Sequence, residues 1–271
     1  MRPKNKTAAW ALVALCVLPA LGVPAWGTFA GSVVSSFFVP PFNGGNPLGL
    51  TFGDGYVWVV FYYDDVTKRR PDDGSIVSTF TLATGGWDLG WDDARDYIYA
   101  NDFWYNVAWS DSTTGSLVGS FAPPDYPVYG IDYNDRDLGR PIWICDWLRR
   151  ILNFTPNGSI VTSYYLPPDV PYTPRAVAYD ADTPGGDFLF VGVYSDPAYI
   201  FALEPATGTV LSSFVAPVPP YCIADLSWDG EYLWVLNHGP GPGVGWVYRI
   251  VAHSFPAVEP ASLGKVKALF R

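Results

Sequence analysis

Histidine is nearly missing from these 271 residues; only His238 and His253 are present. A catalytic triad built on an imidazole base therefore has almost nothing to draw on. His253 stands near the end of the repeated region, where a structural role fits it better. Also missing are Gly-x-Ser-x-Gly, a phosphate-binding glycine loop, Cys-x-x-Cys and His-Glu-x-x-His. Nucleophile-elbow, P-loop, thioredoxin-type and zincin chemistry thus have no anchor. Charged residues are scarce at 15%, and glutamate is limited to Glu204, Glu231 and Glu259. The remaining acids are Asp, which bonds its own backbone in turns, so much of the negative charge is turn chemistry. The net charge of −10 repels phosphate backbones and anionic lipid, and argues against nucleic acid as a partner.

Long apolar runs are missing as well, apart from the N-terminus. There Arg2, Lys4 and Lys6 precede an apolar stretch, Ala8 to Leu18, too short to span a bilayer comfortably. Small residues at Val23-Pro-Ala25 and Ala25-Trp-Gly27 suit cleavage, so residues 1–27 read as a signal peptide. Cleavage would remove three of the 16 Lys+Arg and none of the 26 Asp+Glu, and would leave no membrane span. The destination is extracellular or periplasmic: secreted, or at the cell surface. Cys16 falls within the segment, behind Leu15 where a lipoprotein signal wants a small residue. Secretion permits a disulfide between Cys145 and Cys222, but the repeats place them in non-neighbouring units. Two buried free thiols is the reading taken here.

What the chain has in quantity is Gly (27), Pro (26) and aromatics (17%), the composition of strands and turns. One short stretch occurs five times: Gly31-Ser-Val-Val-Ser-Ser-Phe37, Gly74-Ser-Ile-Val-Ser-Thr-Phe80, Gly115-Ser-Leu-Val-Gly-Ser-Phe121, Gly158-Ser-Ile-Val-Thr-Ser-Tyr164 and Gly208-Thr-Val-Leu-Ser-Ser-Phe214. The glycines are 43, 41, 43 and 50 residues apart, a spacing that means a repeat architecture. Between them recurs aliphatic-x-aromatic: Leu50/Phe52, Leu89/Trp91, Ile131/Tyr133, Val177/Tyr179 and Leu226/Trp228. This is an alternating strand with its anchor at the aliphatic residue. A polar turn follows, then a strand centred on Trp58, Tyr99, Trp143, Phe190 or Trp234, then a less regular third strand. Four antiparallel strands per unit and five units define an all-β, five-bladed β-propeller over residues 28–254. The first glycine strand precedes any first strand, and the last unit lacks a fourth. The N-terminal strand should complete the last blade and close the ring. Residues 255–271 form a C-terminal tail with room for one or two helical turns from Ser262.

The pattern of aliphatic-x-aromatic, Asp-Gly, Tyr-x-Trp-Val and Thr-Gly-x-Val-x-Ser-Phe resembles secreted bacterial propellers of the NHL, YVTN and lactonase-like kind. The resemblance covers residues 30–253 and implies the fold. Propellers of this kind serve as lyases, lactonases, cyclotransferases and binding modules. Five blades is also the count of secreted glutamine cyclotransferases, but no catalytic motif carries over residue by residue. Lactonase-like relatives use a metal-bound Glu, and no Glu stands at the corresponding positions here.

Aligned on the anchors, the repeats place a polar set at one mouth of the channel. Asp88 and Asp225 precede their anchors; Asp102, Asp146 and Asn237 stand three residues past the second-strand aromatic. Oxygen donors of this kind suit Ca²⁺, or alternatively form a structural hydrogen-bond ring around the channel. Trp87, Arg175 and His238 lie beside them as candidate ligand contacts. Proline-rich connections carry Tyr126, Tyr172 and Tyr221, each five residues before its anchor. Such stiffened aromatics either meet a glycan or peptide or fill wedges between blades. The reading is a binding module for a glycan, peptide or protein ligand at the channel mouth. The alternative is a secreted hydrolase or lyase working at an acidic mouth, with Ca²⁺.

Overall fold

The computed structural model describes residues 30–253, apart from 103, 105, 124–126, 138, 140, 184–185, 217–221 and 239–242. The signal segment, Cys16, the C-terminal tail, Tyr126 and Tyr221 all lie outside the described residues. The strands form five four-stranded antiparallel sheets. Blade one holds β2 (Pro47–Gly53), β3 (Tyr56–Phe61), β4 (Asp65–Arg69) and β5 (Ile76–Thr81). Blade two holds β6 (Asp88–Asp92), β7 (Tyr97–Asn101), β8 (Val107–Asp111) and β9 (Leu117–Phe121). Blade three holds β10 (Val128–Tyr133), β11 (Ile142–Asp146), β12 (Arg150–Phe154) and β13 (Ile160–Tyr165). Blade four holds β14 (Pro174–Asp180), β15 (Phe188–Val193), β16 (Tyr199–Leu203) and β17 (Val210–Val215). Blade five holds β18 (Ile223–Trp228), β19 (Leu233–His238) and β20 (Gly245–Ile250), and takes its fourth strand, β1 (Val33–Val39), from the start of the chain.

The first strands neighbour one another in a closed circuit, β2, β6, β10, β14, β18 and back to β2. The chain is a five-bladed β-propeller whose ring is closed by β1 on β20, with Phe37 opposite Val247 and Val39 opposite Gly245. The turns form as their residues dictate. Asp54-Gly55 joins β2 to β3 with φ of 52° and 73°, a hairpin pair that needs both residues left-handed. In blades two, four and five the Asp92, Asp180 and Asp229 carboxylates accept amides two and three residues on. That is the turn chemistry expected of an Asp-rich, Glu-poor chain.

Two aromatic rings of contacts join the blades. Near the channel, each second-strand aromatic faces the first-strand aromatic of the next blade. The pairs are Trp58 with Trp91, Tyr99 with Tyr133, Trp143 with Tyr179, Phe190 with Trp228 and Trp234 with Phe52, with ring centres 4.7–5.9 Å apart. Farther out, the repeated glycine meets the aromatic that ends the preceding copy. A Cβ on Gly74 would lie 2.3 Å from the Phe37 ring, and Gly115, Gly158, Gly208 and Gly31 stand likewise against Phe80, Phe121, Tyr164 and Phe214. These glycines have φ of 71–86°, so both their backbone and their contacts require glycine. The fourth strands leave aliphatic pairs exposed at the rim, Ile76 with Val77 and Ile160 with Val161 among them.

Trp58, Trp143 and Trp234 are buried between blades. Each changed to Ala should cost about 3–5 kcal/mol in urea unfolding, and the loss should be similar at the closing interface and within the ring. Removing β1 should abolish a single cooperative transition, because β20 becomes an unpaired edge. A truncated chain that melts at the parent temperature would refute closure.

Candidate functional site

A first strand pairs on one side only, so its other edge turns unpaired amides to the channel. Buried carboxylates meet this need. Asp225 accepts Leu226 N at 2.6 Å and, across the blade boundary, Leu50 N at 2.5 Å. Asp88 accepts Leu89 N at 2.8 Å and Ile131 N of the next blade at 3.0 Å. One level down, Asp132 accepts Tyr179 N at 2.6 Å and the Ser227 hydroxyl accepts Phe52 N at 2.9 Å. Every one of these crossing bonds runs to the following blade. Gly49 lets two first strands meet, since a Cβ there would lie 2.5 Å from Asp88 Cα. Burial pushes the Asp225 carboxyl well above the ordinary carboxylate range, against the pull of the amides it accepts. Burial likewise raises Asp132 to about 7.

The residues considered as a metal set are placed as follows. Asp88 and Asp225 are part of the channel wall, where their oxygens hold strand amides. Asp146 is held by Arg150, through Nε at 2.6 Å and the backbone N at 2.9 Å. Asp102 lies past the end of β7 and accepts Trp104 N, Asn106 N and the Asn106 side-chain amide. Asn237 is fully buried at the end of β19, with neither amide atom bonded. No three His, Cys, Asp or Glu side chains converge to hold a metal ion among the described residues. The residue before each anchor faces the next blade rather than the mouth, which is why the expected convergence fails. An acid from every first turn instead gathers at the opposite mouth: Asp54, Asp93, Asp135, Asp182 and Asp229 line an opening of ≈ 410 Å³. Those acids have partners of their own: Lys68 binds Asp54, Arg136 binds Asp182 and the Trp234 indole donates to Asp229.

At the other end of the channel each first strand is entered through the residue two before its anchor: Leu48, Trp87, Tyr129, Arg175 and Ala224. In four blades the ladder slips there, between Pro47 and Gly49, Val128 and Gly130, Pro174 and Ala176, and Ile223 and Asp225. A bulge of this kind redirects the extra side chain. Arg175 is such a residue, and its guanidinium carbon lies 4.9 Å from the ring centres of both Trp87 and Tyr129. It draws together blades two, three and four. His238 and Cys222 of blade five lie within reach of its charge: burial first, then Arg175, lowers the His238 pKa, while the Pro47 carbonyl opposes the shift. Burial raises the Cys222 thiol and Arg175 pulls it back. Both Cys145 and Cys222 are free thiols, the first buried and the second half-buried.

A pocket of ≈ 500 Å³ opens beside this ring, lined by Leu48, Trp87, Tyr62, Tyr63, Asp64, Asp102 and Trp104 with Gly85 and Gly86. Trp87 thus belongs to both pocket and mouth. Tyr63 and Asp64 have φ of 84° and 68°; for a bulky aromatic this is a strained backbone, at a cost of order 1–3 kcal/mol. Asp64 holds the turn by accepting Gly86 N at 3.0 Å. Of the sequence candidates, the structure brings Trp87, Arg175 and His238 together and adds Asp102 through the pocket. Tyr172 instead stacks on Tyr199 of blade four. Sequence reading missed the loop aromatics Tyr62, Tyr63, Trp104, Trp147 and Tyr194, although Tyr62, Trp147 and Tyr194 each stand four residues past the second-strand aromatic, where blade five has His238.

No protein-family model matches the chain, and a search of curated proteins finds no match. Among solved structures, the glutaminyl cyclase of Myxococcus xanthus is similar, with a TM-score of 0.60 and 12% identity over 81% of this chain and 94% of that one. At that identity the likeness shows the fold alone.

The raised carboxyls give a pH dependence of stability. Asp132 (about 7) and Asp135 (about 6), both raised chiefly by burial, take up protons more readily folded than unfolded. Their contribution is complete below the unfolded carboxylate pKa and fades as pH rises to about 7. Unfolding free energy should therefore fall between pH 4 and pH 7, and Asp132→Asn should flatten the slope. A profile that rises over that interval, or is unchanged by the substitution, would contradict this.

Proposed function

We propose that the chain is a secreted or cell-surface propeller of the repeat class it resembles, acting as a binding module at the Arg175 mouth. The observation that carries this reading is the exposure of aromatics on one face. Strand register places the second-to-third-strand loops at the same end as the entry to each first strand. Four of those loops present Tyr62 and Tyr63, Trp104, Trp147 and Tyr194 at 52–64% exposure. Repeated exposed rings around a concave mouth are a recognition surface rather than a packing feature. A ligand with flat or ring-shaped parts, in a glycan or a peptide, is the natural occupant.

An enzymatic reading starts from the solved neighbour, a glutaminyl cyclase. The hydrolase or lyase form of it needs free acids at this mouth, and the carboxylates expected there hold strand amides, Arg150 and a loop. A glutaminyl cyclase assay on the full chain tests the enzymatic reading directly.

Binding can be found with glycan and peptide libraries read by thermal shift, since a ligand for the folded state raises its melting temperature. Trp104→Ala and Tyr63→Ala should each weaken the captured ligand by about tenfold or more and leave the ligand-free melt within about a degree or two. Unchanged affinity in both variants would refute the aromatic face as the binding surface.

A further inference from the structure

Arg175 is a cation without an anion. Lys68, Arg95, Arg136, Arg150, Arg249 and His253 each meet an Asp carboxylate. Arg69 and Arg149 donate to hydroxyl or carbonyl oxygens. Among the described residues Arg175 is the half-buried arginine with no oxygen acceptor, and its Nε is fully buried and unbonded. The Trp87 and Tyr129 ring faces, 4.9 Å away, offer attraction but no lone pair. Beside it the His238 Nε2 is unbonded, and so are both amide atoms of buried Asn237. Leaving a charge desolvated and unpaired is costly, and a chain of net charge −10 has acids to spare for pairing it.

We propose that Arg175 receives the C-terminal carboxylate of a peptide ligand, whose last side chain enters the aromatic pocket beyond Trp87. This rests on the binding-module reading and names its ligand. A carboxylate matches the planar donor fork of a guanidinium, which can bind it through two parallel bonds. The cation is single, and the surrounding molecule is acidic. A polyanionic glycan is repelled as it approaches, whereas one carboxylate at the end of a neutral or basic chain is not. The pocket that shares Trp87 and Leu48 with the mouth, at ≈ 500 Å³, holds one large side chain with room for part of the next residue.

The probes are N-acetylated tripeptides ending in phenylalanine, as free acid and as amide, with methyl glucuronide as the sugar acid, titrated onto the full chain with Trp fluorescence. The free acid should bind at least about tenfold more tightly than the amide, a preference expected of a charged hydrogen-bonded pair. Arg175→Gln should erase that preference and leave weak binding of the amide; Arg175→Lys should retain part of it. Because the cation is unpaired, Arg175→Gln should fold and melt no lower than the parent without ligand. Equal binding of acid and amide, a preference that survives Arg175→Gln, or no saturable binding of the acid at millimolar concentration would each overturn the proposal. So would binding of methyl glucuronide alone, which would assign the carboxylate to a sugar. Loss of amide binding in Trp104→Ala reports on the aromatic face separately, so the two readings fail independently.

Discussion

One contact recurs at all five blade boundaries: the second-strand aromatic of a blade lies against the first-strand aromatic of the next. A four-stranded blade cannot bury both its faces alone, so the ring exists only if each boundary is filled. Trp, Tyr and Phe fill it with large area and a preferred offset or tilted geometry. The boundary between the chain's two ends, Trp234 on Phe52, is built like the others. That equivalence lets β1, from the first residues described, complete the last blade. The outer contacts of glycine on aromatic repeat the same logic with the partners reversed in size.

Bringing five first strands together creates a second problem, a channel lined with strand edges. Asp88, Asp132, Asp225 and Ser227 solve it by accepting amides across the boundaries. Acids so used are structural, and the mouth above them is left to Arg175, Trp87, Tyr129 and His238. The proposed binding surface is thus cationic at its centre and aromatic around it, on a molecule that is acidic as a whole. Strain at Tyr63 and Asp64 and unbonded polar atoms at Arg175, Asn237 and His238 fall on this same face.

The architecture was readable because its two repeated contacts each need a residue type that few others can replace. Glycine at a left-handed turn under a ring, and an aromatic at a blade boundary, recur at nearly constant spacing. The closing strand followed from counting them. The mouth was only partly readable. Whether a strand residue faces the mouth or the next blade depends on a slip of one residue, and the bulges before Gly49, Gly130, Ala176 and Asp225 leave no mark in composition. Asp88 and Asp225 stand at the level expected from the repeats, with their carboxylates turned to strand amides of the next blade. Asp102, equivalent to Asp146 by count, fell into a loop because β7 ends one residue sooner. Trp87 and Arg175 stand two residues before their anchors and His238 four past its second-strand aromatic, and these three lie near one another at that mouth. Tyr62, Trp147 and Tyr194 share one offset, four residues past the second-strand aromatic, with Trp104 one residue further in its blade; the signal was there in the alignment of repeats.

The account turns on the ring being closed and every boundary being equivalent. Native-state amide exchange tests this most directly, read at Leu50, Leu89, Ile131 and Leu226, whose amides point into the channel wall. A closed ring predicts that all four exchange only through global unfolding, with one common free energy in blades one, two, three and five. An open row of blades would fray from its ends, and faster exchange at Leu50 and Leu226 than at Leu89 and Ile131 would contradict the account.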